Sequence, residues 1–262
     1  MPKYNNRNKE TNPPYSFSQN FLTSKKTLKF LLSKTDISKT DHVIEIGAGK
    51  GHITRMLSDN CKYVTSYEID KTLYNTLEST KNVKFICKDF LETKLPGKIP
   101  YKVFSNIPFS ITTDIVRKLT TADNPPNSAW LIMEYGSAMR FSGLPYDKAV
   151  SLSLKPFFNV EILCKVNRRE FHPMPSVDAA LLHIEKRRDP DLPLSQRNAF
   201  CDFVKHGMQE GFSGKKGLLT KKQVSTALRL AGLEQLHPSE TMRYVQWLCL
   251  FRCWDKFCGN SK

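Results

Sequence analysis

The chain has 262 residues, enough for one large domain and a small one, and a formal net charge of +15. No apolar run approaches the ~20 residues of a membrane-spanning helix, and residues 1–18 lack the apolar stretch of a secretory signal. The seven cysteines are scattered and odd in number, which argues against a disulfide framework and favours a reduced, cytoplasmic setting.

The positive charge is concentrated at the two ends of the chain. Residues 1–40 hold 8 basic and 2 acidic residues, and residues 183–262 hold 14 and 8, whereas the middle is nearly balanced. Basic flanks around a balanced core are typical of a protein that contacts the phosphates of a nucleic acid. Residues 1–15, rich in Asn, Lys, Arg and Pro, are predicted to form a flexible basic arm.

A predicted helix precedes residue 41, and from Asp41 onward strand-like and helix-like segments alternate. The predicted strands are His42–Ile46, Tyr63–Tyr67, Val83–Cys87, Lys102–Ser105 and Ala129–Glu134. The predicted helices are one ending at Leu32, one after Gly51, and those over Lys71–Ser79 and Thr112–Leu119. This alternation favours an α/β fold with a mostly parallel, doubly wound sheet. Val160–Val166 and Ala179–Glu185 are expected to add antiparallel strands at one edge.

After a charged, proline-bearing linker, three amphipathic patterns predict a small all-helical C-terminal domain. The first helix is expected from Ser195, the second from the capping box that begins at Thr220, and the third over about Ser239–Phe257. The predicted domains are the arm (1–15), an α/β domain (16–187) and the helical domain (188–262).

A glycine-rich segment, Glu45–Gly51, follows the first strand of the alternating pattern. Its glycines allow a tight turn and a close backbone approach to a ligand at a helix N-terminus. The spacing is shorter than in dinucleotide-binding loops, and Gly51 stands where a Walker loop has Ser or Thr. Glu45 would repel phosphate and suits a cationic ligand, directly or through water, which favours S-adenosylmethionine over a phosphorylated cofactor.

Acidic residues end the next two strands. Glu68 lies 21 residues after Gly47, where an acidic side chain grips ribose hydroxyls in nucleotide-type pockets. Asp89 follows the next strand and can accept a bond from an adenine amine while Phe90 packs on the ring. With the glycine loop, these strand ends predict a cofactor site.

The segment Asn106-Ile107-Pro108-Phe109 directly follows the fourth strand. The Asn106 side-chain oxygen and the Ile107 carbonyl can both accept hydrogen bonds from an exocyclic NH₂ group. Pro108 stiffens the turn and has no N–H, and Phe109 offers a face on which a base can stack. The pattern predicts a pocket for a base whose amine receives the transferred group.

Six separated segments occur in the order and spacing of a known family. They are Gln19–Leu22, Glu45–Gly51, Tyr67–Asp70, Lys88–Phe90, Asn106–Phe109 and Phe171–Pro175. Together they resemble the Erm-type (erythromycin-resistance) 23S rRNA adenine N6-methyltransferases, over about residues 16–186 and more loosely beyond. The resemblance implies a Rossmann-like, S-adenosylmethionine-dependent methyltransferase domain with a small C-terminal helical domain.

The resemblance also assigns residues to roles. The expected cofactor-binding positions are Gln19, Asn20, Leu22, Gly47, Glu68, Asp89, Phe90 and Asn106. The expected target-base positions are Asn106, Ile107, Pro108 and Phe109, with Phe171 as a second aromatic wall. The chain departs from the family at Met174 and Ser176, where members often have lysine, so some charge near the base pocket is missing.

By resemblance, the substrate is one adenine in the peptidyl-transferase loop of 23S rRNA, met before or during ribosome assembly by a monomeric enzyme. Mono- or dimethylation of its N6 would block macrolide, lincosamide and streptogramin B binding. One alternative is a small-subunit rRNA adenine dimethyltransferase, which shares the fold and chemistry. Another is a non-catalytic RNA-binding protein on the same fold, which would not bind the cofactor.

Other patterns have simpler interpretations. The cysteines of the last helix, Cys249, Cys253 and Cys258, are interpreted as apolar helix residues and not as metal ligands. The aromatic residues Trp247, Phe251 and Trp254 are interpreted as core. For the lysine pairs 215–216 and 221–222, RNA contact and plain solvation both remain open.

Overall fold

The computed structural model of the protein describes residues 20–78, 80–213, 215–236 and 241–259. The predicted arm over residues 1–15, Gln19 and the predicted start of the last helix at Ser239 lie outside the described residues. Among the helices of these ranges, none combines the length and apolar character that crossing a membrane requires.

A central twisted sheet organises the chain. In chain order the strands are β1 (Phe21–Leu22), β2 (His42–Ile46), β3 (Tyr63–Glu68), β4 (Val83–Cys87), β5 (Lys102–Asn106), β6 (Ser128–Glu134), β7 (Phe158–Val166), β8 (Phe171–His172) and β9 (Ala179–Lys186). The sheet has the order β4-β3-β2-β5-β6-β9-β7, and β1 pairs separately with β8.

The direction of the strands follows the prediction. The first five strands of the sheet order, from β4 to β6, are parallel, whereas β9 is antiparallel to both β6 and β7. The mostly parallel α/β sheet with an antiparallel edge is therefore confirmed. Because the parallel strands run the same way, their carboxyl ends share one edge, and the loops that follow them meet there.

Helices cover both faces of the sheet and continue beyond it. They are α1 (Lys25–Leu32), α2 (His52–Ser58), α3 (Lys71–Tyr74), α4 (Thr112–Thr121), α5 (Tyr135–Ser142), α6 (Ala149–Leu154), α7 (Arg197–Glu210), α8 (Lys221–Leu230) and α9 (Tyr244–Trp254). The predicted capping box at the start of α8 is formed, because Thr220 and Gln223 each bond the other's backbone N–H.

Three helices differ from the sequence-based expectation. Helix α3 ends at Tyr74 and does not extend through the predicted range to Ser79. Here the Thr76 hydroxyl donates to the Leu73 carbonyl at 2.7 Å, a local bond that competes with helix continuation. Helices α5, with 8 residues, and α6, with 6, were not expected, because segments this short carry little helical periodicity.

Alternating side chains of the strands build two apolar layers. On β6, Leu131 faces a layer with α4 to α9, whereas Trp130 and Ile132 face a layer with α1 and α2. The first layer continues without a break into the C-terminal helices, where the buried rings of Phe203 and Phe251 lie 5.6 Å apart. The boundary at residue 187 stays a prediction, since the two predicted domains share this apolar layer.

The shared layer predicts that the sheet and the C-terminal helices unfold together. We expect Phe203→Ala to lower the free energy of unfolding by about 3–5 kcal/mol, the range for removing a buried ring. Native-state hydrogen exchange should then become faster in β6 and β9 as well as in α7–α9. Faster exchange confined to the helices would show that they unfold as a separate unit. Phe257→Ala, at an exposed ring, is the control and should change little.

Candidate active site

A cavity of about 210 Å³ opens at the carboxyl ends of the parallel strands. Its walls come from the loop after β2, the ends of β3 and β4, the turn after β5 and the N-terminal strand β1. The lining segments are 20–22, 46–50, 52–53, 67–69, 88–91 and 106–111, together with Leu73. The structure therefore brings most of the predicted site residues to one cavity, although they are far apart in sequence.

The glycine loop forms the floor beside β1. Gly47 and Gly49 have φ angles of +80° and +56°, a region that favours glycine. The backbone N–H groups of Gly47 and Ala48 both donate to the Tyr67 carbonyl, at 2.8 and 2.9 Å. A Cβ on Gly49 would lie 2.8 Å from the Phe21 ring, so the loop needs glycine there for space as well as for conformation.

Glu68 lies at the end of β3 and is almost fully buried at the cavity wall. Its Oε2 accepts the Gly49 N–H at 2.7 Å, and its Oε1 accepts the Asp70 N–H at 2.9 Å. Each carboxylate oxygen keeps a further lone pair. Glu68 therefore holds the glycine loop in place and can still accept bonds from a ligand's hydroxyl groups.

Asp89 begins a single 3₁₀ turn, Phe90–Glu92, after β4. Its Oδ1 accepts the Leu91 N–H at 2.8 Å and so caps the turn, which leaves Oδ2 for a ligand. The Phe90 ring is buried and meets Tyr67 edge-on at 5.4 Å between ring centroids. This wall combines one acceptor with an aromatic surface, as the adenine side of a nucleoside pocket requires.

Asn106 ends β5 and has a fixed side-chain orientation. Its Nδ2 donates to the main-chain oxygen of Asn20 at 2.7 Å. Because a carbonyl can only accept, the amide nitrogen must face Asn20 and the amide oxygen must face away from it. That oxygen, Oδ1, is buried without a protein partner. An unpaired buried acceptor destabilises the folded protein by about 1–3 kcal/mol. A ligand that donates a hydrogen bond to Oδ1 would remove this cost.

The turn after Asn106 is held on the sheet side. The Ile107 N–H donates to the Ile132 carbonyl at 3.0 Å, and the Ile107 side chain is buried. Pro108 and Phe109 follow at the cavity wall, and the half-buried Phe109 ring packs on the apolar layer of α1 and α2. Phe109 is thus anchored on one side and is part of the cavity wall.

Phe171 is not among the residues that line the cavity, so its expected role as a second aromatic wall stays a prediction. It is 3% exposed and packs in the layer under α1 and α2. The reason is that β8 pairs with β1, with Leu22 opposite Phe171. This pairing holds β1 beside the cavity, so the Phe171 segment supports Leu22 and the Asn20 carbonyl. Met174, where the family often has lysine, is exposed.

Glu45 also differs from expectation. Its carboxyl does not line the cavity but is fully buried behind the loop, where Oε2 accepts the hydroxyls of Thr54, at 2.5 Å, and Ser66, at 2.6 Å. Burial raises the pKa of Glu45 to about 8, and the nearby Glu68 charge adds to this. Glu45 is therefore mainly neutral at pH 7 and acts as a hydrogen-bonded strut between β2, α2 and β3.

Positive charge surrounds the acidic cavity. Lys50 and Lys88 are part of its wall, and the Lys50 ammonium lies 5.2 Å from the centroid of the Phe21 ring. The pKa of His52 is lowered by burial and further by the charges of Arg55, Lys50 and Lys25. Sequence reasoning did not assign Phe21 and Lys50, although both lie within segments that it singled out.

Comparisons with known proteins agree with this site. A family model described as "Ribosomal RNA adenine dimethylase" matches residues 11–251. An rRNA adenine N-6-methyltransferase of Limosilactobacillus reuteri is 35% identical over 244 residues, covering 92% of this chain and 96% of that protein. The 23S rRNA methyltransferase ErmE has a similar structure, with a TM-score of 0.76, 29% identity, and coverage of 90% and 100%.

A second solved structure shares the fold at lower identity. A dimethyladenosine transferase from Plasmodium falciparum matches with a TM-score of 0.64 and 20% identity, covering 87% of this chain and 86% of that one. The Rossmann-like methyltransferase fold is therefore shown, together with its C-terminal helices.

The glycine loop predicts a steric test. Gly49→Ala would add strain at φ +56° and a contact of 2.8 Å with Phe21, so we expect the affinity for S-adenosylmethionine to fall at least about tenfold in calorimetry. Gly97→Ala, where a Cβ would meet no atom within 4 Å, should bind normally. Normal binding by a folded Gly49→Ala protein would show that the loop is not in contact with the cofactor.

Glu45 predicts a pH dependence of stability. Because its pKa is raised in the folded protein, the contribution of Glu45 to stability is fully present below about pH 4.5, the ordinary pKa of a glutamate, and is lost as the pH rises through about 8. The loss from this one group is at most about 1.4 kcal/mol per pH unit. Glu45→Gln keeps the accepting oxygen but cannot ionise. The free energy of unfolding of this variant, minus that of the unmodified protein, should therefore increase from pH 5 to pH 8.

Denaturant unfolding across this pH range measures the effect, and Glu78→Gln, at an exposed glutamate, is the matched control. Parallel curves for Glu45→Gln and the unmodified protein would mean that Glu45 ionises normally.

Proposed function

The chain belongs to the ribosomal RNA adenine dimethylase family, and we propose that its target is one adenine in the peptidyl-transferase loop of 23S rRNA. It is an S-adenosylmethionine-dependent rRNA adenine N6-methyltransferase. Addition of one or two methyl groups at that adenine would block macrolide, lincosamide and streptogramin B binding and so give resistance. We further propose that the monomeric enzyme meets its RNA before or during ribosome assembly.

The assignment to the large subunit is supported by sequence similarity. The 23S rRNA methyltransferase ErmE is 29% identical and is covered along its full length, whereas the dimethyladenosine transferase is 20% identical. The latter similarity concerns the fold alone, so a small-subunit target remains the alternative that an experiment must test.

The cavity fits the cofactor that the family uses. Glu68 would accept bonds from the ribose hydroxyls, and Asp89 Oδ2 from the adenine amine, with Phe90 against the ring. Gly47 leaves open space at its Cα, since a Cβ there would meet no atom within 4 Å. Asn20 and Leu22 would close the pocket from β1. When bound, the cofactor supplies an electrophilic sulfonium methyl group.

The orientation of Asn106 carries the mechanism. The N6 lone pair of adenine is conjugated with the ring and is therefore a poor nucleophile. Asn106 Oδ1 and the Ile107 carbonyl would accept its two N–H bonds and draw the nitrogen toward tetrahedral geometry. The Asn20 carbonyl holds the amide in the required orientation before substrate arrives, so little reorganisation is needed during the reaction.

The turn after Asn106 would position the base. Phe109 offers a stacking surface worth about 1–3 kcal/mol, which offsets the few kcal/mol needed to take the adenine out of its stack. Correct positioning is itself worth a large factor, with effective molarities of about 10⁵–10⁸ M. No side chain is assigned as a general base, because N6 becomes strongly acidic once the new bond has formed, and Asp89 is assigned to cofactor binding.

The basic surface would supply sequence-independent affinity for rRNA. The chain has a net charge of +15, and Lys50 and Lys88 lie at the cavity itself. In the connection between α7 and α8, Lys216 pairs with Glu210, the last residue of α7, at 3.4 Å. The exposed Lys221 and Lys222 begin α8, where positive side chains are disfavoured by the helix dipole. RNA phosphates would relieve this cost.

The target can be mapped directly. The protein is incubated with labelled S-adenosylmethionine and protein-free 23S or 16S rRNA, and the modified nucleotide is located by reverse transcription. We expect one adenine in the peptidyl-transferase loop to be labelled. Labelling of 16S rRNA alone would assign the chain to the small-subunit enzymes. The same assay on assembled large subunits tests whether the enzyme acts before assembly is complete.

Asn106→Ala tests the proposed amine activation. Removing one preorganised dipole at the reacting group should lower kcat about 10²–10³-fold, measured by single-turnover methyl transfer. Asn159→Ala, at an exposed asparagine on β7, is the control and should leave kcat unchanged. Near-normal turnover of Asn106→Ala with unchanged cofactor affinity would contradict the mechanism.

A further inference from the structure

A half-buried lysine, Lys118, connects two walls of the cavity. It lies on α4, the helix that begins directly after Phe109–Ile111. Its Nζ donates to the main-chain oxygens of Leu91, at 2.9 Å, and Thr93, at 2.5 Å. The same Nζ lies 5.5 Å from the centroid of the Phe90 ring. The ammonium group of α4 is thus in contact with the segment that follows β4, which forms another part of the cavity wall.

The segment that Lys118 contacts is the single 3₁₀ turn Phe90–Glu92. One hydrogen-bonded turn is not stable by itself, so it needs support at both ends. Asp89 caps its start, and Lys118 binds its last carbonyls, so each charge is favourably placed on the turn's dipole. The pKa of Lys118 is lowered by burial; the Asp89 charge opposes that shift and the Lys88 charge adds to it.

Lys118 itself does not line the cavity, whereas Asp89, Phe90 and Leu91 do. We propose that Lys118 is a positioning residue. By holding the 3₁₀ turn that begins after Asp89, it fixes Asp89 Oδ2 and the Phe90 ring at the adenine end of the cofactor. This inference rests on the proposed assignment of Asp89 to the adenine amine. It also implies that α4, which begins directly after the base-binding turn, contributes to the cofactor pocket through Lys118.

The test compares two ligands in calorimetry with the full chain. One is S-adenosylhomocysteine, and the other is its analogue with hydrogen in place of the 6-amino group. A bond to a charged carboxylate makes the unmodified protein prefer the first ligand at least about tenfold. In Lys118→Met this preference should fall below about threefold, because Asp89 is no longer held. The KM for rRNA should not change.

Two further variants make the comparison specific. Arg117→Met, at an exposed neighbour whose partner is Asp114, should keep the full preference. Lys118→Arg keeps the charge, and its preference for the first ligand should lie between those of the unmodified protein and Lys118→Met. If Lys118→Met shows no thermal unfolding transition, Lys118→Arg takes its place in the comparison.

Two results would overturn the inference. An unchanged preference in folded Lys118→Met would show that Lys118 does not position Asp89. Equal binding of the two ligands by the unmodified protein would show that Asp89 does not meet the adenine amine. In that second case the mapping of the methylated rRNA nucleotide would still decide the proposed function by itself.

Discussion

The parallel direction of β2, β3, β4 and β5 is the constraint on which the site depends. Parallel strands must all end at the same edge of the sheet, so the residues after each strand meet regardless of their separation in sequence. The glycine loop and Asp89 follow β2 and β4, and Glu68 and Asn106 are the last residues of β3 and β5. The direction of these strands therefore brings together most of the cavity wall, and the pairing of β1 with β8 adds the rest.

Charges of opposite sign are separated over a short distance. Glu68 and Asp89 place carboxylate acceptors in the cavity, whereas Lys50 and Lys88 lie in its wall and the chain as a whole has a net charge of +15. Glu45, which would add a third negative charge nearby, is kept neutral by burial. Under the proposed function, the carboxylates would face the positively charged cofactor and the lysines would face the RNA phosphates, so each ligand would meet charge of the opposite sign.

The sequence predicted the sheet well because each strand is a short apolar run bounded by polar residues. Strand ends were within two residues of the predictions, and the residues placed there do line one cavity. Sequence reasoning failed where distant backbone contacts decide the outcome. The bond between Asn106 and Asn20 joins residues 86 positions apart, and the pairing of β1 with β8 buries Phe171. Neither contact has a local pattern, and neither does the burial of Glu45 behind the loop.

The two-residue pairing of β1 with β8 also bears on how the chain acquires its activity during synthesis. Leu22 is opposite Phe171, so the strand that holds the Asn20 carbonyl against Asn106 gains its partner only after most of the chain has been made. Contacts of such sequence separation form late because they require a long loop to close. A nascent chain can thus pair the parallel strands β2 to β6 before β8 is available to hold β1, so the Asn106 amide is fixed only after the strands that carry the rest of the site have been made.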